Sequence, residues 1–224
     1  MSTEPRPSVL RLILVPALIT LAVTALRLTG ELLGWSALLA NREAGGAGAL
    51  IGIVWLVFVF GAWFGWRLVR AGEVPASVGR VGGYALLAVL VGAGVSTLGS
   101  FAGGPTVQLV SFVAGAVGSV LVAYRGWPAL ARVLLAYAFA ARIPVALVML
   151  AAILGDWGTH YDVPPPGFDA TTAPLAKWFF IGLVPQLTVW IGFTVAVGSL
   201  FGGLGAALAR RRDRALRPAV GHAG

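Results

Sequence analysis

Long apolar stretches alternate along the chain with short segments that hold most of its charged residues. A helix needs about 20 predominantly apolar residues to cross the hydrocarbon core of a bilayer. This pattern predicts helices over residues 9–33, 47–66, 81–101, 105–124, 128–154 and 175–208. We therefore expect an all-α fold, a polytopic transmembrane bundle of about six helices that forms a single domain over residues 1–208.

The composition agrees with a membrane location, because 58% of the 224 residues are hydrophobic and only 11% are charged. A soluble domain usually has about a quarter charged residues, so this chain has too little polar surface to cover a soluble globule. The first apolar stretch continues to Leu26 without a small-x-small cleavage site before Arg27. It therefore indicates a signal-anchor helix rather than a cleavable signal peptide.

Positive charge is distributed unequally between the two sides of the predicted bundle. One side holds Arg6, Arg11, Arg67, Arg70, Arg80, Arg125, Arg132, Arg210, Arg211, Arg212, Arg214 and Arg217. The loops and helix ends of the other side hold Arg42 and Lys177. Because positively charged loops stay in the cytoplasm, we predict a multi-pass protein of the cytoplasmic (inner) membrane with both termini cytoplasmic. Residues 155–174 then form an extracytoplasmic loop, and residues 209–224 form a basic cytoplasmic tail that attracts anionic lipid headgroups rather than nucleic acid.

The sequence excludes several classes of cofactor. It has no cysteine, which rules out disulfides, iron–sulfur clusters, thiolate zinc sites and c-type haem attachment. Its two histidines are His160 and His222, and the second lies in the tail, so paired-histidine haem ligation between helices is not expected. We predict no cofactor and no metal, and we assign no catalytic residue because neither a serine nucleophile elbow nor an HExxH motif occurs.

Arg142 is the residue that points most directly to a site, since it lies near the middle of the predicted fifth helix. A central arginine costs about 2.5–3.5 kcal/mol on insertion scales, and such a residue usually faces the bundle interior and has a partner. Pro144 lies two residues later and can kink the helix. Gln186 lies beside Pro185 at a similar depth of the sixth helix. These residues predict a site for a polar or anionic ligand, although an internal ion pair or the capping of free carbonyls would also explain Arg142.

Arg27 and Glu31 form a second polar point near the outer end of the first helix. They are spaced i and i+4, so they share one face. One interpretation is a snorkelling pair at the membrane interface. If the first and fifth helices touch, Glu31 is instead a candidate counter-ion for Arg142, and we include both residues in the candidate ligand site.

The loop between the fifth and sixth helices carries the remaining candidate residues. Asp156, His160 and Asp162 offer a weak metal-like pattern, or a general base, His160, that an aspartate would orient. A zinc site usually has more histidine or cysteine than this, so a structural role is the other interpretation. These three residues complete the candidate ligand site.

Small residues recur at helical spacing in several predicted helices, as at Gly61 and Gly65, at Ser111, Gly115 and Ser119, and at Gly198 and Gly202. Such spacing lets helix backbones approach closely. Packing within the chain is the favoured interpretation, and a seam between two copies is the alternative.

Three functions stay open on these observations. The first is a small transporter or channel-like protein with an outward-facing polar pocket around Arg142, because proline-interrupted helices line transporter sites. The second is a non-catalytic accessory or scaffold subunit of a larger membrane complex, which the small size, the glycine-rich faces and the missing redox ligands favour. The third is a membrane enzyme that uses the 155–178 loop. A homo-oligomer is compatible with each of them.

Overall fold

The computed structural model describes the backbone of residues 8–215 and the side chains of residues 8–212. All regular structure in this range is helical. The α-helices are α1 (Val9–Leu32), α2 (Ala37–Ala40), α3 (Leu56–Arg70), α4 (Val78–Ala102), α5 (Pro105–Gly126), α6 (Pro128–Gly155), α7 (Pro174–Lys177), α8 (Val184–Leu187) and α9 (Val189–Ala215). A 3₁₀ turn at Ala44–Gly46 follows α2, and a π-helical segment at Trp178–Leu183 lies between α7 and α8.

Within the described range, five helical runs are long and apolar enough to cross a membrane. They are α1, α4, α5, α6 and the run Pro174–Arg212, which comprises α7, the π-helical segment, α8 and most of α9. Their outward faces expose large aliphatic side chains, such as Leu10, Leu90 and Leu147. Water would penalise so large an apolar surface, whereas lipid does not. The chain is thus an all-α, multi-pass membrane bundle.

The predicted second helix, residues 47–66, is wrong at both ends. The structure places it at Leu56–Arg70 as α3, and its 15 residues extend only about 22 Å. This helix alone is too short for a hydrocarbon core of about 30 Å. The chain before it does not continue the helix, because Gly45, Gly46 and Gly48 adopt positive φ. Hydropathy counts this glycine-rich stretch as apolar, but glycine is a weak helix former.

The predicted sixth helix, residues 175–208, is interrupted. Pro185 has no N–H, so it cannot donate to the carbonyl one turn earlier. Just before it, the Val184 N–H donates to the Phe179 carbonyl, five residues back, as in a π-helix. The backbone leaves helical geometry at Thr188, with φ −123° and ψ −81°, and the hydroxyl of this threonine donates to the Val184 carbonyl at 2.6 Å. We call Trp178–Thr188 the broken segment.

Glycine contacts hold α3 against α9. A Cβ on Gly61 would lie 2.6 Å from the carbonyl oxygen of Gly198, and a Cβ on Gly65 would overlap the carbonyl of Gly202. A real Cβ atom cannot approach a backbone so closely, so glycine is required at this crossing. The small-residue spacing seen in these two helices therefore pairs helices of one chain.

The hairpin of α4 and α5 turns on two glycines. Gly103 and Gly104 have φ of +82° and +85°, and residues other than glycine rarely adopt such a backbone conformation. Farther along the hairpin, Ser119 of α5 donates from Oγ to the Ala88 carbonyl of α4 at 2.9 Å. A Cβ on Gly115 would lie 3.0 Å from a backbone oxygen of α4. The predicted row of small residues on this helix is thus its contact with α4.

The packed core of the bundle surrounds Tyr137 of α6, which is 1% exposed. The rings of Phe60 and Phe64 on α3 meet the Tyr137 ring edge-on, with centroids 5.6 Å and 5.5 Å away. The Tyr137 hydroxyl forms a hydrogen bond of 2.8 Å with Thr20 of α1. This tyrosine therefore joins three helices and fixes the part of α6 that precedes Arg142.

Arginines gather at the end of the bundle that lies away from the α1–α3 and α6–α7 loops. Arg80 donates to the Arg125 carbonyl at 3.2 Å, and Arg210 donates to the Pro75 carbonyl at 2.5 Å. Helix α9 continues to Ala215, so the first part of the predicted tail is helical. Residues 1–7 and 216–224 of the predicted basic segments lie outside the described residues.

Candidate functional site

A cavity of about 810 Å³ lies between α1, α5, α6 and the broken segment. Its volume is in the range of small-molecule sites, which is about 300–1,000 Å³. Two irregular stretches contribute to its lining, one within residues 44–55 and the other within residues 160–168. Non-helical backbone is tolerated at membrane depth where it lines a cavity. Of the predicted site residues, the cavity brings together Arg27, Arg142, His160 and Gln186.

Arg142 lies near the middle of α6 and is only 3% exposed. Its Nη1 donates to Oε1 of Gln186 over a long 3.4 Å, and its Cζ lies 4.5 Å from the centre of the Trp190 ring. Its Nε is buried and has no hydrogen-bond partner among the residues that the structure describes. Among the side chains that the structure describes, no carboxylate pairs with this guanidinium. Arg142 therefore offers the cavity a free donor and a positive charge that no carboxylate balances. This is unusual, because buried cations are normally paired.

The broken segment places Gln186 beside Arg142, and Trp190 reaches the same arginine from the start of α9. Gln186 is 8% exposed, and its amide nitrogen has only the weak acceptor Sδ of Met149, at 3.6 Å. The indole N–H of Trp178 donates to the Ala146 carbonyl at 2.8 Å and so attaches the π-helical part to α6. The helix interruption thus turns a polar amide and an aromatic face toward the arginine, an arrangement often found at functional sites.

Arg27 holds the glycine-rich loop against α1. Its Nη1 donates to the Ile51 carbonyl at 2.9 Å, and its Nη2 donates to the carbonyls of Asn41 and Gly46 at 2.9 Å and 2.8 Å. Its Nε donates to Oε1 of Glu31 at 2.8 Å. The residue is 7% exposed, so the pair is buried and does not snorkel to the interface. Every nitrogen of this guanidinium has at least one acceptor, unlike the Nε of Arg142.

Glu31 connects the two irregular stretches that line the cavity. Its carboxylate is 0% exposed and accepts the His160 backbone N–H at 2.9 Å, while the His160 Nδ1 lies 2.5 Å from the other carboxylate oxygen. Arg42 donates to the Glu31 backbone carbonyl. The carboxylate is therefore occupied by Arg27 and His160. The structure does not show the alternative in which Glu31 is the counter-ion of Arg142.

The two aspartates predicted with His160 do not line the cavity. Asp162 is 3% exposed and accepts from the backbone N–H groups of Gly158 and Thr159, at 2.9 Å and 2.7 Å. It thus stabilises the turn that presents His160. Asp156 is exposed at the end of α6 with φ +48°. Across the described residues, no three His, Cys, Asp or Glu side chains converge as metal ligands would.

A polar stripe on α1 was not predicted from the sequence. Thr20 and Thr24 are 1% and 3% exposed, and each hydroxyl donates to the carbonyl four residues earlier. With Arg27 and Glu31 they recur every three or four residues, which places all four on one helix face. In a membrane helix such a face is the buried one, so the spacing of these residues could have identified it from the sequence.

Two aromatic residues of the cavity were also not anticipated. Trp190 follows Gln186 by four residues, a spacing that would have placed it on the same helix face. Tyr161 follows His160 in the loop and is 4% exposed, with its hydroxyl 3.4 Å from the Thr24 carbonyl. Burial raises the pKa of Tyr161, so it remains a neutral phenol in the cavity wall. Nothing in the loop sequence distinguishes this tyrosine from an ordinary interfacial anchor.

Comparison of the chain with protein families, with curated proteins and with solved structures finds no match in any of the three. The geometry of the cavity is therefore the basis for a functional proposal.

Proposed function

We propose that the chain is a small membrane carrier whose cavity binds an organic anion at Arg142. The observation that carries this proposal is the Nε of Arg142, which is buried, faces no carboxylate among the described side chains and has no hydrogen-bond partner. An anionic group beside it would supply both the missing acceptor and the missing charge. The Gln186 amide, which now has a sulfur acceptor, would offer a second donor to the same group.

The construction of the cavity supports a carrier rather than a fixed structural site. One wall is the broken segment, and another includes part of the irregular stretch 44–55. Discontinuous helices that meet at mid-depth are the usual walls of solute sites in secondary transporters. Such walls can move with the loss of few helical hydrogen bonds, as alternating access requires.

We also propose the sidedness of the protein. In this proposal α3 and the irregular residues before it together complete a sixth crossing of the cytoplasmic membrane. Both termini and the arginine-rich end then face the cytoplasm and the anionic headgroups there, and the cavity opens to the outside. The proposal rests on the arginine asymmetry of the sequence and on the single end at which the structure gathers Arg80, Arg125 and Arg210.

Single cysteines test this sidedness, because the chain has no cysteine of its own. Asp169→Cys lies in the loop after α6, and Ala76→Cys lies in the loop between α3 and α4. Both positions are exposed. A membrane-impermeant maleimide should label Asp169→Cys in intact cells and Ala76→Cys only after permeabilisation. The reverse pattern would overturn the orientation.

Thermal unfolding of purified protein tests anion binding. A ligand that binds the folded state raises the unfolding temperature. A panel of water-soluble organic carboxylates should raise it for the unmodified protein, whereas the matched amines should not. Arg142→Gln should abolish the shift. Arg132→Gln is the matched control, since this arginine is exposed on the same helix. A carboxylate shift that survives in Arg142→Gln would refute the proposed site.

A further inference from the structure

One side of the cavity lies between α5 and the broken segment. Leu109 and Phe112 of α5 line it there, together with Phe180 and Ile181 of the broken segment. We call this side of the cavity the gap. The first half of α5 packs against α4, where Val107 and Ser111 lie beside Gly99, but none of its residues before Gly115 is buried. Phe180 lines the cavity and is also 43% exposed, as expected of a residue at the rim of an opening.

The walls of the cavity divide into a polar side and an apolar side. The cavity-lining polar residues of α1, α6 and α8 are Thr24, Arg27, Arg142 and Gln186, with His160 from the covering loop. The gap itself is bordered mainly by aromatic and aliphatic side chains, with Gln108 of α5 as a polar exception. A ligand that satisfies both sides needs a charged end and a long apolar part. A small hydrophilic anion would leave the gap to lipid.

We propose that the cavity takes a long-chain monocarboxylate, with its carboxylate at Arg142 and its hydrocarbon chain in the gap. This inference rests on the proposed function and names the substrate class of the same site. A monoanion matches the single uncompensated cation, since the charge of Arg27 is already balanced by Glu31. One chain matches one gap, because a phospholipid with two chains would need a second apolar channel beside the first.

The same geometry gives the ligand a route. Arg142 lies 13 residues before Gly155, the last residue of α6, which corresponds to about 20 Å along the helix axis. A carboxylate can travel this depth along the polar side, from His160 and Arg27 to Arg142, without entering hydrocarbon. Its chain meanwhile stays in the bilayer through the gap. The high cost of placing a charge in the membrane centre is thereby avoided.

Photolabelling in nanodiscs tests the proposal. The probe is a palmitate analogue that carries a diazirine in mid-chain, and the control is the corresponding cetyl alcohol analogue. The carboxylate should label peptides within residues 105–114 and 178–187 in a saturable way, and unlabelled palmitate should compete. The alcohol should not show saturable labelling. Arg142→Gln should weaken the carboxylate labelling by about thirtyfold or more, because it removes one partner of a buried charge pair.

A second pair of variants tests the gap and does not depend on Arg142. Leu109→Trp should fill the gap and weaken palmitate binding, with Val110→Trp as the control. Val110 is the next residue on α5, is 60% exposed and does not line the cavity. Equal labelling by the carboxylate and the alcohol, labelling spread over all lipid-facing helices, or no effect of Leu109→Trp would each overturn the proposal.

The short carboxylates of the thermal test separate this inference from the proposed function. If they bind in an Arg142-dependent manner and palmitate does not bind, the long-chain assignment is wrong and the anion site stands. If both bind, affinity should rise along an alkanoate series by about fourfold per added CH₂ until the gap is filled. If neither binds, both proposals fall.

Discussion

Glu31 and His160 are 129 residues apart in sequence, yet the buried Glu31 carboxylate accepts the His160 backbone N–H at 2.9 Å and lies 2.5 Å from its ring Nδ1. The same carboxylate binds Arg27, which holds the glycine-rich loop through backbone carbonyls. One carboxylate therefore joins α1 to both stretches that border the cavity. Any change in its charge should reach both stretches.

Glu31→Gln should lower the free energy of unfolding by about 3 kcal/mol, because it leaves the buried Arg27 guanidinium without its counter-ion. The measurement is thermal unfolding in detergent, followed by circular dichroism. Glu43→Gln is the matched control, since Glu43 is exposed in the neighbouring loop and accepts no described side-chain hydrogen bond. Equal losses in the two variants would show that the buried carboxylate is not a structural centre.

Double variants should show that Glu31 is energetically coupled to Arg27 and not to Arg142. Glu31→Gln and Arg27→Gln should be strongly non-additive in unfolding free energy, because the two residues form one ion pair. Glu31→Gln and Arg142→Gln should add to within about 0.5 kcal/mol, because they share no described hydrogen-bond or ion-pair partner. Strong coupling between Glu31 and Arg142 would restore the counter-ion interpretation that the structure does not show.

Without ligand, Arg142→Gln should stabilise the protein by about 1–3 kcal/mol. The variant removes a buried charge that lacks a carboxylate partner, and a binding site often holds such a group at the expense of stability. The unfolding temperature of ligand-free protein measures this, with Arg132→Gln expected near the unmodified value. A large loss of stability would instead mean that the contacts of Arg142 with Gln186 and Trp190 are structural.

Gly65→Ala should destabilise the bundle by about 1–3 kcal/mol, since its Cβ would overlap the Gly202 carbonyl across the α3–α9 crossing. Gly94→Ala is the control. This glycine lies inside α4, and apart from the nearby backbone of its own helix and its two chain neighbours, no described atom lies within 4 Å of the place that an added methyl group would occupy. Alanine there should therefore stabilise the protein by up to about 1 kcal/mol. If both variants behaved alike, the close crossing would be incorrect.

Much of the fold followed from the sequence, because lipid imposes long apolar helices and interior faces that carry polar or small residues. The ends of α1, α5 and α6 lie close to their predicted positions, and Pro105 and Pro128 begin the last two of these helices. The ends of the predicted second helix were wrong, since apolarity alone cannot distinguish a glycine-rich loop from a helix. The carbonyls of that loop are stabilised by Arg27, a contact that only the tertiary structure reveals.

The candidate site was predictable in its parts and in one of its pairings. Arg142 and Gln186 could be placed at one depth from their position along two helices. The pairing of Arg27 with Glu31 followed from their i, i+4 spacing. The pairing of Glu31 with His160 could not be predicted, because His160 lies in a loop whose path no periodicity describes. The gap beside Phe180 depends on the break at Thr188 and on how far α5 stands from it, and both are properties of packing.

The anion site is tested most sharply by locating a bound carboxylate in the protein. A crystal structure with a bromine-tagged long-chain carboxylate would show the chain by the anomalous signal of bromine. We expect the carboxylate within hydrogen-bond distance of the Arg142 Nε, with the bromine between α5 and Phe180. Bromine only on the outer lipid-facing surfaces, with no carboxylate at Arg142, would refute the site.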